Sequence, residues 1–176
     1  MVKKNILALD ASTKRTGYAI ACKDNTYACG ALASTSTRLE KRLTVMRDGI
    51  KKLIEDYNIE QIIIEDVRPD NTNTHTAKVL TWLQGLIAVT AFEVDPNIKF
   101  EMIGASSWRS VLGLQKHCVK RENQKQMDIE YANQCGFPLD TPLSAAQDDE
   151  ADAICILNAF LIQQTKTPKA EKESAF

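Results

Sequence analysis

The chain has 176 residues, a formal net charge of −1, 44% hydrophobic residues and 26% charged ones. Those values suit one globular domain with a real core and exclude a disordered chain. A near-neutral total excludes coating of DNA or membranes by bulk charge, but not a nucleic-acid protein whose charges are segregated.

The N-terminus carries two lysines and then a short apolar run, Asn5–Asp10, which reads as a first strand ending in an acid. The run is too short for a signal peptide, and no small-residue cleavage site follows. With no run of about 18 apolar residues, no transmembrane helix is expected, and a cytoplasmic protein with no membrane partner is. Gly17–Cys22 and Thr26–Ala33 read as second and third strands around a Lys-Asp-Asn turn, so the three form an antiparallel meander. From Arg38 the period changes. Leu39, Leu43, Met46, Ile50, Leu53, Ile54 and Tyr57 recur at helical spacing. Gln61–Glu65 is a continuous apolar run, as expected of a strand buried on both faces. Thr74–Phe92 reads as a helix with Gly85 inside it. That glycine costs about 1 kcal/mol of propensity, which a close helix–helix approach would explain. Lys99–Ile103 is a fifth strand. Helices follow from about Ser106, from Arg121 to Cys135 with Gly136 as its cap, and from about Gln147. The tail from Gln163 to Phe176 lacks apolar periodicity, and fraying or disorder is expected there. The fold class is α/β, a mixed five-stranded sheet flanked by helices within residues 1–162.

Five cysteines, at 22, 29, 118, 135 and 155, form no C-x-x-C pair and read as reduced thiols. His75 and His117 are the only histidines, too few for a histidine-based metal site or triad. His117, in a basic stretch, reads as a solvated or phosphate-contacting residue rather than a general base.

The acids are the informative residues. Asp10 ends the first strand and Glu65 the fourth. If those strands are neighbours, their carboxylates lie side by side at one edge of the sheet, outside the carboxyl ends where ligands of α/β sheets bind. Asp149 and Asp152 are three apart at the start of the last helix and share a face. Taken alone, Asp148, Asp149, Glu150 and Asp152 read first as first-turn acids that favour the helix macrodipole. If the four converge, their repulsion requires cations or shared protons. Oxygen-only ligands favour Mg²⁺ or Mn²⁺, and a pair of such ions serves phosphodiester hydrolysis.

The segments ILALDASTKRTGYAI, IIIEDVRPDNTN, LQGLI and DDEADAICIL, in that order, resemble the RuvC-type Holliday-junction resolvases. The resemblance runs from about Ile6 to Leu157. It implies an RNase H-like fold, a homodimer, and divalent-metal-dependent cleavage of Holliday junctions and other branched DNA, in a bacterial or phage-infected cell. The family's catalytic and metal-holding acids fall on Asp10, Glu65, Asp149 and Asp152. Two Mg²⁺ per site, with Mn²⁺ as substitute, and ends carrying 5′-phosphate and 3′-hydroxyl are implied. The Trp108-Arg109 and D-D-E-A-D-A pattern looks closer to phage-encoded relatives. Two departures stand out. Asp10-Ala11-Ser12 replaces the family's frequent D-P-G. Arg68 stands where bacterial members carry an aromatic that stacks at the junction.

Between Arg109 and Lys125, Arg109, Lys116, Lys120, Arg121 and Lys125 stand against Glu122 for a net of +4. The stretch reads as a solvated face or, beside an acidic metal site, as a phosphate-binding ridge. The family's basic catalytic residues fall loosely on Lys120 and Lys125. Lys14 and Arg15 follow Asp10 closely and suit backbone contacts, and Arg68 suits base or phosphate contact. Trp108 reads as core or hinge packing, and Trp82 as helix packing first and dimer contact second. Two other readings stay open. One is a non-catalytic branched-DNA-binding module of the same fold. The other is a nucleotide-binding domain of the actin and sugar-kinase type, whose first phosphate loop resembles Asp10-Ala-Ser-Thr-Lys14 but whose members usually need twice this length.

Overall fold

The computed structural model describes residues 2–67, 74–115 and 120–166. Among the described residues five strands and five α-helices follow one another: β1 (Ile6–Asp10), β2 (Arg15–Ala21), β3 (Tyr27–Ala33), α1 (Leu39–Tyr57), β4 (Gln61–Asp66), α2 (Thr74–Val94), β5 (Lys99–Gly104), α3 (Ala105–Val111), α4 (Arg121–Gln134) and α5 (Asp148–Lys166). The sheet order is β3-β2-β1-β4-β5, with β1, β2 and β3 antiparallel and β4 parallel to both β1 and β5. This is the mixed sheet expected from the sequence. The last helix continues through residues 163–166, where the sequence predicts the start of a frayed tail; residues 167–176, Arg68 and Lys116 lie outside the described residues.

Strand alternation divides the core in two. On one face Leu7, Leu9, Ile20, Ile62 and Ile64 pack with Met46, Ile50 and Ile54 of α1 and Leu83 and Ile87 of α2. On the other, Ala8, Ala19, Ala21 and Ile63 meet Trp108, Ile129 and the residues Ala151, Cys155 and Ala159 of α5. The residues of the second face are mostly small, which lets α5 lie close to the strands. Gly17 is the extreme case. A Cβ there would fall 2.0 Å from the Asp149 carbonyl oxygen, so only glycine permits this start of α5.

Helix α2 is apolar enough over its 21 residues to suit a membrane span by length and composition, contrary to the expectation from sequence. Two apolar faces account for this. Leu83, Ile87 and Ala91 are buried in the core, while Trp82, Val89 and Phe92 are 52%, 57% and 65% exposed. Gly85 lies between those exposed residues and has nothing within 4 Å of where its Cβ would be. A close helix approach within the chain therefore does not explain it.

Candidate active site

Two carboxylates are placed by sheet register. Leu9 pairs with Ile64 between parallel β1 and β4, so the next residues, Asp10 and Glu65, are neighbours where these strands end. Both share the parity of Ala8 and Ile63 and therefore face α5. Asp10 also pairs with Gly17 of β2, the glycine that admits α5. A 3₁₀ turn, Ala145–Gln147, leads into α5 and is closed by a Ser144–Gln147 capping box. It delivers Asp149 and Asp152 to the same place. Asp10, Glu65, Asp149 and Asp152 all line one cleft of about 930 Å³.

The acids around Asp149 are not merely first-turn caps. Asp148 pairs with Lys125 across the gap between α4 and α5. Glu150 is buried and accepts from Arg15 Nη2, while Arg15 Nε lies 3.0 Å from Asp149 Oδ2. These contacts hold the helix start while Asp149 and Asp152 line the cleft.

Burial and then the negative charges of Glu65 and Asp149 push the Asp10 carboxyl up to about 7. Asp152 is pushed up to about 8, by burial first and then by Asp10 and Asp128. Burial also raises Glu65, against the hydrogen bond it accepts from Trp108. These shifts follow from the burial and mutual repulsion of crowded carboxylates. The donors are all carboxylate oxygens, the chemistry a hard divalent cation fits, and such a cation relieves both the burial and the repulsion. Among the described residues no three Asp, Glu, His or Cys side chains form a ready-made metal cage. The carboxylates line an open cleft rather than a closed ligand shell.

The basic residues separate into groups. Lys14, Arg109, Arg121 and Lys125 line the cleft with the acids. Lys120, just before α4, is exposed and not part of the cleft wall. Arg15 is the first residue of β2 and serves the α5 acids. Arg109 is anchored: its guanidinium stacks on Trp108, with Cζ 4.1 Å from the ring centroid, and Nη2 donates to Asp128 at 2.9 Å.

Several members of this site carry no plain sequence signal. Trp108 is buried, as expected, but its Nε1 donates to Glu65 Oε2 at 2.8 Å. Buried Gln84 of α2 donates to the Glu65 backbone carbonyl at 2.7 Å. Arg42 and His75 add to the cleft wall, with Arg42 Nε donating to Thr13 Oγ1 at 3.3 Å. Asp128 is completely buried behind Arg109. Each lies far in sequence from the acid it supports, or looks like an ordinary helix residue. Only the adjacency of Trp108 and Arg109 is visible in the sequence.

A family model described as Lactococcus phage M3 protein matches residues 2–161. No curated protein sequence matches the chain. Among solved structures, Thermus thermophilus RuvC in complex with a Holliday junction substrate superposes with a TM-score of 0.68 at 14% identity, covering 92% of this chain and 94% of that one. A second Thermus thermophilus RuvC structure gives 0.67 at 14% identity, over 92% and 95%. The yeast mitochondrial Holliday junction resolvase Ydc2 gives 0.56 at 14% identity, over 91% and 80%. The chain has the RNase H-like fold of the RuvC-type resolvases.

Proposed function

We propose that this chain, which belongs to the family described as Lactococcus phage M3 protein, is a divalent-metal-dependent endonuclease that resolves Holliday junctions and related branched DNA. The observation that carries the reading is the convergence of Asp10, Glu65, Asp149 and Asp152 in one cleft of a RuvC-like fold. Those four side chains would hold two Mg²⁺, or Mn²⁺ in their place. When bound, the ions supply Lewis acidity for attack of water on the phosphodiester, leaving 5′-phosphate and 3′-hydroxyl ends.

The protein's own residues do the rest. Trp108 fixes one Glu65 oxygen by its indole N–H, and Gln84 fixes the backbone behind it. Lys14, Arg42, Arg121 and Lys125 line the cleft with positive charge, which attracts phosphates and releases counterions. Arg109 adds a cation beside Asp152, with Nη2 3.9 Å from Oδ2.

A homodimer fits the same reading, since a four-way junction asks for paired cuts. The exposed α2 stripe of Trp82, Val89 and Phe92 is the surface we assign to it, with Gly85 allowing the helices of two copies to approach closely. The setting proposed is the cytoplasm of a phage-infected bacterial cell.

A labelled four-way junction incubated with Mg²⁺ tests the activity. Paired cuts that vanish with chelator and with Asp149→Asn are expected. Junction binding without cleavage under any divalent ion would leave a non-catalytic binding module. Cleavage that survives Asp149→Asn would remove the assigned site.

A further inference from the structure

Asp128 is a buried acid for which the proposed chemistry has no use. It lies on α4 behind the cleft wall and is 0% exposed. Its Oδ2 accepts from Arg109 Nε at 3.2 Å and from Nη2 at 2.9 Å, and its Oδ1 accepts from Gln124 Nε2 at 2.9 Å. The same Nη2 stands 3.9 Å from Asp152 Oδ2, outside hydrogen-bond distance.

That arrangement is not the one an arginine would adopt unaided. Beside several crowded carboxylates, a guanidinium favours a two-pronged pair with one of them. Such a pair with Asp152 would take up the oxygens assigned to a metal ion. Asp128 occupies one edge of the fork instead, and Arg109 Cζ sits over the Trp108 ring. We infer that Asp128 is a positioning residue that holds Arg109 off Asp152. It keeps the carboxylate oxygens open to a divalent cation while the guanidinium charge stays in the cleft for a phosphate. This role rests on the metal-dependent reading of the site.

The competing explanation is a plain staple between α3 and α4, which would affect stability alone. Calorimetric titration of Mn²⁺ into the full chain without DNA separates the two. Asp128→Asn weakens the grip on Arg109 and is expected to lower Mn²⁺ affinity about 10-fold. Arg109→Lys keeps both charges but loses the two-pronged contact, and a similar loss is expected. Arg109→Gln removes the competitor and should bind Mn²⁺ at least as tightly as wild type. Combining it with Asp128→Asn should recover the affinity that Asp128→Asn loses. Unchanged Mn²⁺ affinity in Asp128→Asn and Arg109→Lys, with only a lower melting temperature, would overturn the inference. Should Asp128→Asn fail to fold, Arg109→Lys decides by itself. A wild-type chain that takes up no Mn²⁺ overturns the metal reading first, a result distinct from equal binding by wild type and variants.

Discussion

Asp10→Asn should stabilise the metal-free protein while abolishing the proposed cleavage. Burial, then Glu65 and Asp149, lift the Asp10 carboxyl from 3.8 to about 7. The folded chain therefore holds a proton that the unfolded chain releases. Stability from this group is complete below pH 3.8, drains away as pH rises, and is gone once pH passes about 7. At about 1.36 kcal/mol per pH unit, the full interval amounts to about 4 kcal/mol. Coupling to Asp152 spreads that sum over both acids, so about 2–4 kcal/mol is expected from Asp10→Asn above neutral pH. Asparagine keeps the shape and drops the charge. For a chain of this size that gain is about 5–10 °C in Tm. Circular-dichroism melts in chelator at pH 4 and pH 8 measure it. The variant and wild type should melt together at pH 4, and the variant should melt higher at pH 8. Adding Mg²⁺ at pH 8 should raise wild type much more than the variant. A variant no more stable than wild type at pH 8 would refute the picture of a strained carboxylate cluster.

Other consequences follow from single contacts. Trp108→Phe removes the donor to Glu65, a hydrogen bond to a charged group worth about 1.5–3 kcal/mol. Junction kinetics should show kcat falling about 10-fold or more with junction affinity unchanged; a change confined to KM would contradict the assigned role. Gly17→Ala drives a Cβ into the Asp149 carbonyl. Denaturant melts should report a loss of about 1–3 kcal/mol, and cleavage should be lost with it because Asp149 must move. Arg121→Ala with Lys125→Ala should weaken junction binding, and the slope of log K against log salt should become shallower by about 1 for each phosphate no longer neutralised. Phe92→Glu places a charge in the exposed α2 stripe; light scattering should then show a monomer, and nicking should replace paired cutting.

The strands and helices are legible in the sequence because their apolar periods are strong. Ile62, Ile63 and Ile64 announce a strand buried on both faces, and Met46, Ile50 and Ile54 a helix with one buried side. The acids are legible for a related reason. A carboxylate that ends a strand, or two spaced by three on a helix, has a definite direction once its element is known. Even so, chain order alone makes Asp10 and Glu65 neighbours only on condition. The parallel pairing of β1 with β4 meets that condition.

The charges that support the acids cannot be read in this way. Arg15 has the look of a DNA contact in sequence but holds Asp149 and Glu150; Lys120 has the look of a central residue but stands outside the cleft. A flexible basic side chain carries no period, so its partner depends on which helix packs beside it. Asp128 resembles any polar residue of α4, yet it is buried and binds Arg109 from another helix. Gly85 invites a close helix approach in sequence, yet nothing lies within 4 Å of where its Cβ would be, and it sits in the exposed α2 stripe. The sequence by itself determined the elements and the placement of the four carboxylates on them, because both depend on local periodicity. The tertiary structure alone decided which cations, indole and buried acid surround those carboxylates, because such contacts join residues that share no sequence period.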